Sequence, residues 1–225
     1  MSFTTGDGRK LTYRKLGHGP VLVCHPGGPG FSADYFGDLA ALWEQYTLVM
    51  LNPRGTGGSD RPADSRAYQI DDYVADLEEL RNHLGLEQML LLGHSHGGVV
   101  AQAYAAKHPE RVSRLVLAST VAHFGTAEAG YLDTLKSEPI NADTLKLFNK
   151  EIFQTFDMRP SLPAITCQTL VITGDDDFIC GPICSEEICS GVHAARLVIV
   201  ADAGHMTFVE QPQAFHDEVA DFLGS

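Results

Sequence analysis

Short apolar runs alternate with longer amphipathic segments along most of the chain. Six runs of three to five residues, rich in Val, Leu and Ile, lie at 21–24, 47–51, 89–92, 115–117, 170–172 and 197–200. Each run is continuously apolar, which is typical of strands that are buried on both faces of a parallel sheet. The pattern therefore predicts a parallel sheet at the centre of the protein.

Amphipathic segments with apolar residues at helical spacing lie between and after these runs, at 71–84, 95–108 and 213–223. Pro109 ends the second of them, because proline cannot continue a helix. Strands that alternate with helices predict an α/β fold with right-handed crossovers. We expect a mostly parallel central sheet with helices on both faces.

The alternation is interrupted between about residues 121 and 166, where apolar residues occur without a strand-like run. We predict about two short helices inserted between two strands. Insertions of this length are usually lids or binding loops, although a peripheral helical pair that does not contact substrate is the alternative. The predicted organisation is a core domain of residues 1–120 and 168–225 with a helical insertion, the cap, at 121–167.

Composition narrows the range of partners. The 225 residues carry 16 Lys and Arg against 29 Asp and Glu, a net charge of −13, which disfavours binding to nucleic acid or to an anionic membrane surface. No run approaches the roughly 18 apolar residues of a membrane span, and the N-terminus lacks the features of a secretory signal. We therefore expect a cytoplasmic protein with a small-molecule substrate, and the sequence does not indicate its oligomeric state.

Five cysteines are present, and three of them lie close together at positions 180, 184 and 189. An odd number does not suggest a disulfide framework. A zinc site usually needs cysteine pairs two to four residues apart with two further ligands. We therefore expect no metal and no cofactor.

A candidate nucleophile follows the strand at 89–92. Residues 93–98 read Gly-His-Ser-His-Gly-Gly and lead into the helix at 95–108, which places Gly-x-Ser-x-Gly at the turn from a strand to a helix. In such a turn the Ser95 hydroxyl projects above the sheet, and the glycines leave room for the crossing chain. A helix N-cap serine is the alternative interpretation.

A serine hydroxyl needs a base, and the base needs an orienting carboxylate. His205 lies in the loop after the strand at 197–200, at the sheet edge where sites of open α/β folds collect. His94 and His96 flank Ser95 and are expected to point elsewhere. The three aspartates at 175–177 follow the strand at 170–172, and at most one of them can face one imidazole. The order serine, aspartate, histidine is the one expected for a Gly-x-Ser-x-Gly turn on this architecture.

These residues closely resemble the α/β-hydrolase family, and the similarity extends from Gly19 to Leu223. Within the family the chain is most similar to the proline iminopeptidase-like branch. The shared features are the sequence His-Pro-Gly-Gly-Pro-Gly at 25–30, the sequence Asn-Pro-Arg-Gly-Thr-Gly-Gly-Ser at 52–59, and a Gly-x-x-Asp-x-x-x-x-Pro pattern at 174–182. That last pattern selects Asp177 as the triad acid.

The resemblance implies an α/β-hydrolase fold and a serine hydrolase with the triad Ser95, Asp177 and His205. The oxyanion hole would use the backbone N–H of His96, with a second donor from Gly28 or the adjacent Gly27. A substrate pocket is expected from apolar residues near these loops and in the cap, namely Phe31, Tyr35, Phe148, Phe153 and Met206. Arg54 is expected to stabilise its own loop.

Three features depart from the proline iminopeptidase-like branch. Pro26 stands where the branch usually has histidine, His96 stands where it often has tryptophan, and the cap is short. The sequence therefore predicts cleavage of an ester or amide bond of a small acyl substrate. It leaves open a lactonase, or a receptor-like member with little turnover. Dehalogenases and epoxide hydrolases carry a carboxylate at this turn, and Ser95 argues against both.

Overall fold

The computed structural model describes residues 1–64, 66–124, 141, 144, 147 and 151–224. In this part of the chain, eight strands form one sheet, in the spatial order β1-β2-β4-β3-β5-β6-β7-β8. Strand β2 pairs antiparallel with both of its neighbours, β1 and β4, and all other neighbouring strands pair parallel. The strands are β1 (Ser2–Thr4), β2 (Lys10–Leu16), β3 (Val21–His25), β4 (Thr47–Asn52), β5 (Met89–His94), β6 (Val112–Ala118), β7 (Gln168–Gly174) and β8 (Ala195–Val200).

Helices cover both faces of the sheet. They are α1 (Ile70–His83), α2 (His96–Lys107), α3 (Phe153–Thr155), α4 (Pro182–Gly191), α5 (Thr207–Glu210) and α6 (Pro212–Gly224). One core cluster joins α1, α2 and α4 to one face, and a second joins α5 and α6 to the other. Among the described helices, none has the length and apolar character needed to cross a membrane.

The predicted fold class is confirmed. All six predicted strands are present, and each extends beyond its continuously apolar run. The sequence pattern did not predict β1 and β2, because β2 alternates buried and partly exposed residues as a strand near the sheet edge does. Much of the predicted cap, including residues 125–140 and 148–150, lies outside the described residues. Its described C-terminal part contains α3 and a 3₁₀ turn at Arg159–Ala164.

The carboxyl ends of β5 to β8 lie at one edge of the sheet. The parallel ladder continues into the loops, since the backbone N–H of Ser95 donates to Ala118 O at 2.9 Å and that of Asp175 donates to Val200 O at 3.0 Å. This shared edge brings the loops after β5, β7 and β8 together, although they are far apart in sequence.

A buried ion pair joins the loop after β4 to helix α1. Arg54 and Asp76 are each 1% exposed, and the guanidinium donates from Nε and Nη2 to the two carboxylate oxygens at 2.7 Å each. Arg54 also donates from Nη1 to Ala67 O at 2.8 Å. These contacts agree with the structural role expected for Arg54.

Removing the charge of Asp76 should strongly destabilise the protein, because the buried guanidinium then keeps only the partly exposed Asp72 carboxylate, 3.1 Å from Nη1, as a counterion. We expect Asp76→Asn to lower the free energy of unfolding by about 3–5 kcal/mol, measured by urea denaturation. Asp64→Asn is the matched control, since it removes a surface partner of Arg66 and should cause no resolvable change. Equal stability of the two variants would contradict the prediction.

Candidate active site

Ser95 lies in a strained turn between β5 and α2. Its φ is 54° and its ψ is −122°, a region that residues with a side chain rarely adopt. The turn is held by the Ser95 carbonyl, which accepts hydrogen bonds from Gly98 N at 2.9 Å and Thr120 Oγ1 at 2.7 Å. The surrounding structure therefore maintains the strain.

Glycines permit the close approach of chain segments around this turn. A Cβ on Gly93 would lie 2.3 Å from Gly97 O, and a Cβ on Gly97 would lie 2.1 Å from His25 O. The N-terminus of α2 thus crosses directly over the ends of β5 and β3. The loop after β3 consequently lies beside the serine, and a Cβ on Gly27 would lie 3.2 Å from Ser95 Cβ.

Asp177 is the aspartate that contacts His205. Its side chain is fully buried, and Oδ1 accepts the backbone N–H groups of Ile179 and Cys180 at 2.9 Å each. Burial by itself raises the pKa of this carboxyl, but the His205 side chain and the two backbone donors outweigh it and lower the pKa to about 2. Asp177 is therefore ionised at neutral pH. Asp175 and Asp176 are exposed.

His205 extends from the loop after β8 towards Asp177. Its Nδ1 lies 3.0 Å from Asp177 Oδ2 and 3.1 Å from Oδ1, and its side chain is 13% exposed. An ionised carboxylate only accepts hydrogen bonds, so Nδ1 carries the proton and Nε2 is left as the basic nitrogen. The residue next to the serine also contacts this loop, since His94 Nε2 lies 2.8 Å from His205 O.

The residues expected at the oxyanion hole lie around the same turn. His96 is the first residue of α2. Gly28 has a φ of 119°, and a Cβ there would lie 2.6 Å from Gly30 N, so the turn after β3 requires glycine. Gly27 lies beside the Ser95 side chain, since a Cβ on Gly27 would be 3.2 Å from Ser95 Cβ. The sequence alone did not indicate this proximity.

Three of the five residues expected to line the pocket contact one another in a chain. The Phe31 ring stacks on Tyr35 with centroids 5.0 Å apart, and Tyr35 Oη lies 3.2 Å from Met206 Sδ. Phe153 stacks instead on Phe124 at the start of the predicted cap. Phe148 lies outside the described residues.

Two contacts near His205 were not predicted from the sequence. Tyr35 Oη lies 2.8 Å from His94 Nδ1, and the Glu210 carboxylate accepts Gly204 N at 2.8 Å and Met206 N at 2.9 Å. Carboxylates in the first turn of a helix commonly accept hydrogen bonds from the backbone N–H groups that precede the helix. This local pattern is the one signal that could have indicated Glu210.

Three buried histidines surround the turn. Burial lowers the pKa of His25 to about 4 and those of His94 and His96 to about 3. The positive charge that His205 can carry lowers the pKa of His94 further. All three rings are therefore neutral in the folded protein at neutral pH.

Among the described residues, no group of three or more His, Cys, Asp and Glu side chains could hold a metal ion. The five cysteines are free thiols. Burial raises the pKa of the Cys180 thiol well above its usual value, so that side chain is not a thiolate nucleophile at neutral pH.

The chain is similar to known proteins over most of its length. A family model described as "alpha/beta hydrolase fold" matches residues 20–141. A proline iminopeptidase from Heyndrickxia coagulans is 24% identical over 284 aligned positions, which cover 99% of this chain and 98% of that protein. That alignment has more positions than this chain has residues, so the relative contains segments that this chain lacks.

Solved structures resemble the whole chain. A hydrolase from Pseudomonas aeruginosa PA01 is 29% identical with a TM-score of 0.84, and the match covers 100% of this chain and 98% of that one. An enol-lactonase from Burkholderia xenovorans LB400 is 24% identical with a TM-score of 0.83 and full coverage of both chains. The second likeness concerns the fold alone.

The buried histidines should make stability depend steeply on pH. Each binds a proton below its unfolded pKa of 6.5 only when the chain unfolds, so falling pH favours the unfolded state. With three such groups the free energy of unfolding should fall by up to about 4 kcal/mol per pH unit below pH 6.5. We would measure it by urea denaturation between pH 8 and pH 5.

Single substitutions test which groups cause the change in the free energy of unfolding with pH, called the slope below. His96→Gln should reduce the slope by about one third, because one of the three groups is removed. The control is His18→Gln, which should leave the slope unchanged because solvent reaches the His18 ring in both states. An unchanged slope in His96→Gln would show that other groups cause the pH dependence.

Proposed function

This chain belongs to the α/β-hydrolase fold family, and we propose that it cleaves an ester or amide bond of a small acyl substrate through an acyl-Ser95 intermediate. The contact that carries the proposal is the hydrogen bond between His205 Nδ1 and Asp177 at 3.0 Å, at the sheet edge that also bears Ser95. A carboxylate, an imidazole and a serine in these positions are the groups needed to activate a hydroxyl nucleophile.

Each group has one role in the proposed reaction. Ser95 Oγ attacks the acyl carbon while its proton passes to His205 Nε2, and the bond from Oγ to that carbon forms. The bond to the leaving group then breaks, and the leaving group takes the proton from Nε2. Water hydrolyses the acyl-serine by the same two steps. Asp177, ionised down to about pH 2, stabilises the positive charge that His205 acquires.

The oxyanion would be stabilised by backbone N–H groups. The His96 N–H opens helix α2, where the helix dipole also favours negative charge. The second donor would come from Gly27 or Gly28, and the short distance between Gly27 and the serine Cβ supports that loop. One such donor typically contributes about 2.7–4 kcal/mol to transition-state stabilisation.

The cap, residues 121–167, would cover this edge of the sheet and contribute to the choice of substrate. Its two ends run side by side, since Met158 N donates to Ala122 O at 2.7 Å and His123 forms a β-bridge with Asp157. Paired ends of this kind are consistent with an insertion that leaves and re-enters the core at one place.

Substituting the nucleophile should remove activity without unfolding the protein. We expect Ser95→Ala to lower kcat on a short-chain nitrophenyl ester by several orders of magnitude, because no other hydroxyl replaces the attacking oxygen. Asp177→Asn should also reduce kcat strongly, whereas the matched variant Asp176→Asn should retain it, since Asp176 is exposed. Retained activity in Ser95→Ala would overturn the mechanism.

To identify the substrate class, we would compare kcat/KM on that ester, on a simple lactone and on a prolyl arylamide. Dominant turnover of the arylamide would assign an aminopeptidase specificity like that of the iminopeptidase relative. Dominant turnover of the lactone would assign a lactonase. A burst of one product equivalent without further turnover would instead indicate a receptor-like protein.

A further inference from the structure

The loop that carries His205 is held at three consecutive residues. The two oxygens of the Glu210 carboxylate accept the backbone N–H groups of Gly204 at 2.8 Å and Met206 at 2.9 Å. Between them, the carbonyl of His205 itself lies 2.8 Å from His94 Nε2. Side-chain contacts thus fix the backbone before, at and after the proposed base.

The contacts of His94 determine which of its nitrogens carries the proton. A carbonyl oxygen only accepts, so His94 Nε2 must donate to His205 O. In a neutral ring Nδ1 is then an acceptor, and it lies 2.8 Å from Tyr35 Oη. Tyr35 can therefore donate to His94, and burial, which keeps the His94 ring neutral, preserves this arrangement.

Packing holds the His94 ring in this orientation. The ring lies edge-on to Phe208 with centroids 5.1 Å apart, and its centroid is 4.9 Å from that of His205. Phe208 belongs to α5, the same short helix that ends at Glu210. The ring and the carboxylate therefore support the loop from two directions.

We propose that His94 and Glu210 are positioning residues for His205, with Tyr35 donating to His94 Nδ1 and so supporting the tautomer that the His205 carbonyl selects. The inference rests on the function proposed above. Asp177 contacts the imidazole at Nδ1, so the position of Nε2 relative to Ser95 depends on where the backbone of the loop lies. A displacement of about 1 Å at such a group can cost about 100-fold in rate.

The test uses three disruptive variants, one variant of His94 that keeps a donor, and two matched controls. His94→Phe keeps an aromatic ring but removes the donor, Tyr35→Phe removes only the hydroxyl, and Glu210→Gln removes one of two acceptors. The controls have the same kinds of contact elsewhere. His216 Nδ1 lies 2.8 Å from Ala40 O, and Glu79 Oε1 accepts Gly6 N at 3.0 Å. The variants His216→Gln and Glu79→Gln therefore alter comparable side-chain to backbone hydrogen bonds away from the site.

Three measurements are made on each folded variant: kcat and KM on the nitrophenyl ester, the rate at which a fluorophosphonate labels Ser95, and the NMR signal of the His205 Nδ1 proton. We expect the three variants to lower kcat and the labelling rate by about tenfold to 100-fold, with KM within about twofold of wild type. The Nδ1 signal should shift or broaden. Both controls should match wild type, and His94→Gln, which can still donate, should recover part of the loss.

The outcomes separate this inference from the proposed function. If the wild-type protein is not labelled at Ser95 and does not turn over ester, the proposed function fails and this inference fails with it. Wild-type labelling together with wild-type rates and Nδ1 signals in the variants would overturn the positioning role alone. A raised KM with unchanged kcat would overturn it too, because it would make Tyr35 and its neighbours substrate contacts. If His94→Phe does not fold, the kcat values, labelling rates and Nδ1 signals of Tyr35→Phe and Glu210→Gln test the positioning role.

Discussion

The close approach of three chain segments around Ser95 is the constraint on which the rest of the structure depends. The end of β5, the start of α2 and the end of β3 come so near one another that a side chain at Gly93 or Gly97 would overlap the neighbouring backbone. This crowding holds Ser95 at a φ of 54°. The strain is tolerated because the serine carbonyl keeps its hydrogen bonds and the sheet below is fully packed.

Burial acts in opposite ways on the ionisable groups near this turn. Asp177 stays ionised in the interior because His205 and two backbone N–H groups compensate for the lost water. At His25 and His94 burial outweighs the contacts that favour the charged form, including the Asp177 charge near His94, and keeps both rings neutral. The site therefore places the buried negative charge of Asp177 against the His205 imidazole, while the neighbouring buried histidines stay neutral.

The site is also supported from the side opposite the carboxylate. His94 belongs to the strand that carries the serine, yet its ring contacts the backbone of the loop that carries His205. The strand that precedes the proposed nucleophile thus also contacts the loop of the proposed base. Arg54 and Asp76 make a comparable connection farther from the site, where they join the loop after β4 to helix α1.

The sequence by itself determined the fold class and the parallel core strands, and it indicated Ser95 and His205 as candidates. Continuous apolar runs, a glycine-flanked serine and a histidine in the loop after a strand are local signals. The sequence could rank the three adjacent aspartates only through a family resemblance, and it assigned no contact to Glu210 and no partner to His94. Only the tertiary structure decided these points. Which aspartate faces His205, and which ring nitrogen meets a carbonyl 111 residues away, depends on strand register and loop geometry that no local pattern encodes.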